Sequence, residues 1–167
     1  EIFDYKSKQR NSWIITIDCY VKGYESSATV FYLDKLGLNG ISVNSDTISL
    51  SHYTPHFLDR YNERFLKDNK LSKLDVLKQF ITQNPVEAIG EVTDSESKEV
   101  KIFGRFKEGV GLGYKEVFSN TGNEIFHFRT FISNDMVMDF QRGGFNDLGE
   151  WYDETYEELQ KVNKRRA

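Results

Sequence analysis

Apolar residues in this chain follow strand-like patterns up to Ser51, switch to helical spacing between Thr54 and Asn84, and return to strand patterning from Val100 to Ile132. Each segment must bury its apolar side against another, so this order points to a sheet interrupted once by a pair of helices. Residues 13–21 and 28–33 are β-branched and aromatic and flank Lys22-Gly23-Tyr24-Glu25, which reads as a hairpin turn. Ile41 to Val43 and Thr47 to Ser51 alternate apolar with polar residues around Asn44-Ser45-Asp46, a second, half-buried hairpin. Thr54 then offers an N-cap, Pro55 a first-turn proline, and Phe57, Leu58, Tyr61 and Phe65 a single apolar stripe predicted to enter the core. Ser72 caps a second helix carrying Leu74, Leu77, Phe80 and Ile81, which ends at Asn84-Pro85.

The polar stretch 93–98 reads as a loop. After it, residues 100–106, 111–118 and 124–132 form a three-stranded meander, joined by Lys107-Glu108-Gly109 and by 120–123. Gly109-Val110-Gly111-Leu112-Gly113 has the look of a dinucleotide fingerprint, yet it joins two strands and opens no helix, so it reads as a turn. Residues 147–164 place Leu148, Trp151, Tyr152, Leu159 and Val162 at helical spacings, a terminal amphipathic helix. With no repeat and only Pro55 and Pro85, nothing marks a linker. The expected fold class is α+β, a single domain over 1–167. It has N-terminal strands in 1–48, a helix-helix-three-strand core in 49–133, and an acidic helical tail in 134–167. The sheet is expected to be antiparallel.

Composition removes several classes of protein. At 38% hydrophobic and 29% charged, with 13 Phe and 9 Tyr, the chain has ample apolar material for a core and is not a disordered polymer. The longest apolar run, residues 13–17, falls far short of the roughly 18 to 20 residues of a membrane helix, so no membrane partner is expected. Cys19 is the single cysteine, which excludes a disulfide-stapled scaffold; in a predicted strand it reads as a buried inert thiol. The compartment is not legible, with the lone cysteine leaning toward the cytoplasm, and neither is the oligomeric state. Glu1 in place of an initiator Met suggests that a leader or tag preceded it.

Chemistry concentrates on the first helix. At 100° per residue, His56, Arg60, Glu63 and Arg64 share about a third of the circumference beside the aromatic stripe. His56 lies near the helix N-terminus, where unpaired N–H groups favour an anion. Two arginines one turn apart can grip a phosphate through their planar forks, and a histidine can move a proton near neutral pH. These are parts of a metal-free phosphodiesterase, in which a base takes the 2′-OH proton and an acid protonates the leaving oxygen. The same residues can equally form surface salt bridges with Asp59, Glu63 or Asp68.

A strand running into His56-x3-Arg60-x3-Arg64 on a helix, then a second helix, then a meander whose last strand carries Thr130 in Phe128-Arg129-Thr130-Phe131-Ile132, resembles the barnase, EndoU, colicin and RelE group of small ribonuclease folds. The likeness covers about half the chain, residues 49–133. It implies a metal-independent ribonuclease, toxin-like or from a mobile element, with His56, Arg60, Arg64 and Thr130 at the catalytic site. RNA would be its substrate and an inhibitory protein a partner, with no cofactor. The alternative is a non-catalytic binding module using the same basic and aromatic face.

Charge is uneven along the chain. Between Asn134 and Glu158 eight acidic residues face Arg142 alone, a net of −7, which leaves +3 for the rest of a chain whose total is −4. An RNA-facing body is compatible with that balance. Arg105 and Lys107 flank Phe106 as a basic edge suited to RNA. On the last strand, regular alternation puts His127 and Arg129 on one face and Phe126, Phe128 and Thr130 on the other, so His127 and Arg129 are the solvent-side substrate-binding candidates if Thr130 is buried. His52 and His56 could ligate zinc with His127 or Glu63, but Pro55 keeps His52 off the helix, and no metal is expected.

Overall fold

The structure, a computed structural model, describes residues 2–6, 8, 12–20, 23–44, 49–84, 88–93, 100–137 and 157. Among them, β1 (Ile2–Lys6), β2 (Ser12–Tyr20), β3 (Gly23–Asp34), β4 (Gly37–Asn44) and β5 (Ser49–Tyr53) precede the helices α1 (Pro55–Tyr61) and α2 (Lys73–Gln83). β6 (Ala88–Thr93), β7 (Val100–Phe106), β8 (Gly109–Val117) and β9 (Glu124–Ser133) follow. All nine strands belong to one sheet, ordered β1-β2-β3-β4-β5-β9-β8-β7-β6. The fold is α+β. The predicted tail helix falls outside the described residues except for Glu157, which is helical.

The sheet is not wholly antiparallel. β5 and β9 pair in parallel, His52 in register with His127, while every other pair is antiparallel. The reason is connectivity: two antiparallel meanders, β1–β5 and β6–β9, join edge to edge, and the chain crosses between them through the helix pair, as a parallel connection requires. In the N-terminal hairpin Tyr20 pairs with Gly23, so Gly23, Tyr24 and Glu25 lie in β3 and not in a turn.

Both helix starts follow the sequence. The Thr54 hydroxyl accepts from the Phe57 N–H and the Ser72 hydroxyl from that of Asp75. The first helix departs from expectation after Tyr61, where residues 62–66 widen into a π turn, closed by the Lys67 N–H on the Asn62 carbonyl at 2.6 Å, with Lys67 in the left-handed region. The wider turn rotates Phe65 off the stripe. Phe57, Leu58 and Tyr61 are buried, but Phe65 is 36% exposed and Leu66 packs against the core.

At the centre of that core the rings of Tyr53, Phe57, Tyr61, Phe80, Phe106, Phe128 and Phe131 pack on one another, with neighbouring centroids such as Tyr53–Phe80 at 4.8 Å and Phe57–Phe131 at 6.0 Å. They press so closely on the sheet that Gly104 and its cross-strand partner Gly111 have no room for a Cβ. The atom would stand 2.6 Å from the Phe128 ring at Gly104 and 2.7 Å from Phe106 at Gly111. The glycine-rich run 109–113 is therefore part of β8 and not a turn; aromatic rings lie on Gly111, and a Cβ at Gly109 or Gly113 would run into the β9 carbonyls of Ile132 and His127.

Candidate functional site

Phe128 and Phe131, three residues apart, both enter the core, which regular alternation forbids. The pairing with β8 explains it. Leu112 is in register with Thr130 and Gly113 with Phe128, leaving Arg129 as the extra residue of a β-bulge. Past the bulge the pleat is reset, so Thr130 leaves the sheet on the side away from the helices, with His127. The separation expected between Thr130 and the His127–Arg129 face does not hold.

On that face the register sets Ile41, His52, His127, Tyr114 and Lys101 side by side across five strands. The His52 and His127 Nδ1 atoms are 2.8 Å apart, with the rings nearly perpendicular. His52 Nε2 lies 3.0 Å from Asn39 Oδ1, and His127 Nε2 lies 3.1 Å from Glu116 Oε2. Tyr32 stacks on the outer side of His52, Tyr114 lies flat on His127 with centroids 4.7 Å apart, and the Arg129 guanidinium sits over Tyr114.

The protons in this line can be assigned by donor counting. Asn39, 2% exposed, gives its amide N–H to the Gly37 carbonyl, which can only accept, so Oδ1 faces His52. His52 Nε2 therefore carries a proton. Burial, reinforced by the charge of His127 and opposed by Asp34, lowers the His52 pKa to about 4, so the ring is neutral near pH 7 and its Nδ1 is a bare acceptor. His127 must then donate from Nδ1. When Nε2 also donates to the Glu116 carboxylate, His127 is an imidazolium between a carboxylate and a neutral ring. The Asp34 carboxyl, capped by the Leu36 and Gly37 N–H groups, is held below its usual range, chiefly by the Leu36 bond.

The residues expected at the site divide between the two faces. His56 is exposed on α1, on the helix side of the sheet. Arg60 pairs with Glu63, and Arg64 donates to the Phe131 carbonyl, tying the π turn to β9. His56, Arg60 and Arg64 thus share no common partner among the described contacts. Arg105 donates to Asn134, and it lies four positions along β7 from Lys101, about 13 Å from the His127 row. Lys107 sits in the β7–β8 turn, its N–H bound to Asn84 Oδ1. Of the expected residues, His127, Arg129 and Thr130 lie on one face. They are joined there by His52, weighed from sequence only as a zinc ligand, and by Asn39, Tyr114 and Glu116, which sequence reading missed. The visible signal was the equal alternation of β5 and β9; their parallel register was not visible. Among the described residues, no three His, Cys, Asp or Glu side chains gather where they could hold a metal. No described helix is long and apolar enough to cross a membrane.

Compared with family models, curated proteins and solved structures, the chain matches none.

Proposed function

We propose that this protein is a metal-independent, ribonuclease-like enzyme whose reacting groups are Glu116 and His127 on the open face of the sheet, with Arg129 and Thr130 on the phosphate. The observation that carries this reading is the line Glu116–His127–His52–Asn39, which sets an exposed carboxylate 3.1 Å from His127 Nε2 while His127 Nδ1 faces a second ring at 2.8 Å. Glu116 is an exposed side chain and can swing from His127 to admit a phosphate between them.

In the proposed reaction the Glu116 carboxylate takes the 2′-hydroxyl proton as that oxygen bonds to phosphorus. The bond from phosphorus to the 5′ oxygen breaks as His127 Nε2 gives its proton to the leaving oxygen. The products are a 2′,3′-cyclic phosphate and a 5′-hydroxyl. Glu116 is left protonated and His127 neutral, and their direct hydrogen bond returns the proton for the next turnover. Arg129 supplies positive charge to the crowded phosphorane.

The test is cleavage of single-stranded and structured RNA in EDTA, with the product ends identified. Cyclic phosphate from the wild type, reduced about 10² to 10⁴-fold in His127→Ala, supports the reading. Loss in His56→Ala with His127→Ala unaffected moves the chemistry to the α1 ladder with Arg60 and Arg64. RNA binding that weakens with salt, without cleavage, leaves the binding module.

A further inference from the structure

His127 can give a proton from Nε2 only if its other nitrogen keeps its own proton, and a free imidazole has no strong preference between the two. A carboxylate beside Nε2 favours a proton there. After that proton has left for the substrate, something must prevent the Nδ1 proton from being lost or exchanged in its place. The only group at Nδ1 among the described residues is the bare nitrogen of His52.

We propose that His52 is a positioning residue for His127: its Nδ1 accepts the His127 Nδ1 proton while Asn39 holds the proton on its own Nε2, so that Nε2 is the one nitrogen of His127 that exchanges. The inference rests on the reading of Glu116 and His127 as the reacting pair. Its support is directional. The Gly37 carbonyl orients the Asn39 amide, the Asn39 oxygen orients the His52 tautomer, and His52 orients His127, each link being a contact of 2.8 to 3.2 Å. The Asn39 end of the line is buried and the Glu116 end is exposed, so the rigid end dictates to the reacting end. The other charged or titratable groups around the two rings are Tyr32 and Asp34 on β3, Tyr114 on β8 and Arg129 on β9. Tyr32 and Tyr114 contact ring faces, Arg129 lies over Tyr114, and Asp34 acts through its field. None of these four is hydrogen-bonded to a ring nitrogen.

Two measurements on the full chain test this. The first is long-range ¹⁵N–¹H correlation NMR of the histidine rings between pH 5 and 9. The expected result is His52 protonated at Nε2 alone near neutral pH, and His127 keeping its Nδ1 proton while Nε2 titrates. A His127 ring that ends its titration in the Nε2–H form, or His52 carrying its proton on Nδ1, overturns the proposal, whether or not RNA is cleaved. The second compares His52→Phe, which keeps a ring but removes the acceptor, with His52→Gln, whose amide oxygen can take its place. His52→Phe is expected to lower kcat at least about 10-fold with KM little changed and to release His127 into both tautomers, and His52→Gln to restore most of both. Equal losses in the two variants, tracking the folded fraction with the His127 tautomer unchanged, show a merely structural role. If the wild type cleaves no RNA, the ribonuclease reading falls while the tautomer result still decides the role of His52. If His52→Phe does not fold, the wild-type spectra and His52→Gln decide it.

Discussion

Phe57 and Phe65 look alike in sequence, two aromatic residues eight apart on one helical stripe, and the π turn between them predicts that their removal costs different amounts. Phe57 has no exposed surface and touches the rings of Tyr53, Phe80, Phe106, Phe128 and Phe131, with centroids 5.1 to 6.0 Å away. Truncation to alanine leaves a closed void lined by sheet and helix, and the transfer and cavity losses together come to about 3 to 5 kcal/mol. Phe65 is 36% exposed, and its ring contact is Tyr61 at 5.4 Å. Its site opens to solvent, so truncation leaves no closed cavity. At about 25 cal/mol per Å² over the roughly 40 to 80 Å² that the phenylalanine buries beyond what alanine in its place would bury, the loss is about 1 to 2 kcal/mol. Urea unfolding followed by circular dichroism measures both, with the m-value checked for constancy. Phe57→Ala should lower the stability by at least about 1 kcal/mol more than Phe65→Ala. Equal costs would mean that residues 62–66 continue the α-helix and carry Phe65 into the core.

Three further outcomes follow from particular contacts. Gly111→Ala should destabilise by about 1 to 3 kcal/mol in urea unfolding, since its Cβ would stand 2.7 and 2.8 Å from Phe106 and Phe128 and the rings must shift, whereas alanine at the open Gly122 meets no neighbour and is opposed only by a φ of 71°. Glu108 is buried in the β7–β8 turn with Oε2 unpartnered, and burial raises its pKa above the usual 4.5. The folded state therefore prefers the protonated acid: this contribution is complete below pH 4.5 and is lost as pH rises through the folded pKa, so Glu108→Gln should be more stable than wild type at pH 7 and about equal to it at pH 4. His52 works in the opposite sense, its pKa lowered from 6.5 to about 4, so folding favours the neutral ring and stability should fall as pH drops from about 6.5 toward 4. That slope should flatten in His52→Gln, and a thermal denaturation series giving the same slope in both proteins would refute it.

Local signals in this chain were strong where one residue does one job over a few positions. Thr54 and Ser72 cap their helices because a hydroxyl followed by a free N–H three residues on is a purely local bond, and the β7, β8 and β9 segments follow from alternation and intervening turns. The same local rules misjudged Phe65, because a π turn inserts one residue's worth of rotation without any mark in composition. They also misjudged the glycines of β8: Gly111 lies under rings from α1, β7 and β9, while a Cβ at Gly109 or Gly113 would meet backbone carbonyls of β9.

The candidate site divides in the same way. Sequence alone identified His127, Arg129 and Thr130 as neighbours on one strand, but placed Thr130 on the wrong face, since a bulge depends on how β9 registers against β8. It weighed His52 first with His56, four residues away, and named His127 only as one candidate third zinc ligand, when the ring His52 meets is that of His127, 75 residues away. Only the parallel pairing of β5 with β9 brings the two together, and that pairing depends on two separate meanders closing edge to edge. Asn39 and Glu116 are unremarkable as residues in strands; their meaning comes from the nitrogen each faces. Patterning marked both helices and most of the strands, but not β1 or β6. Strand order, register and the bulge decided which polar side chains touch, because a hydrogen bond needs atoms within about 3 Å while the sequence period fixes only the face on which a side chain leaves its own strand.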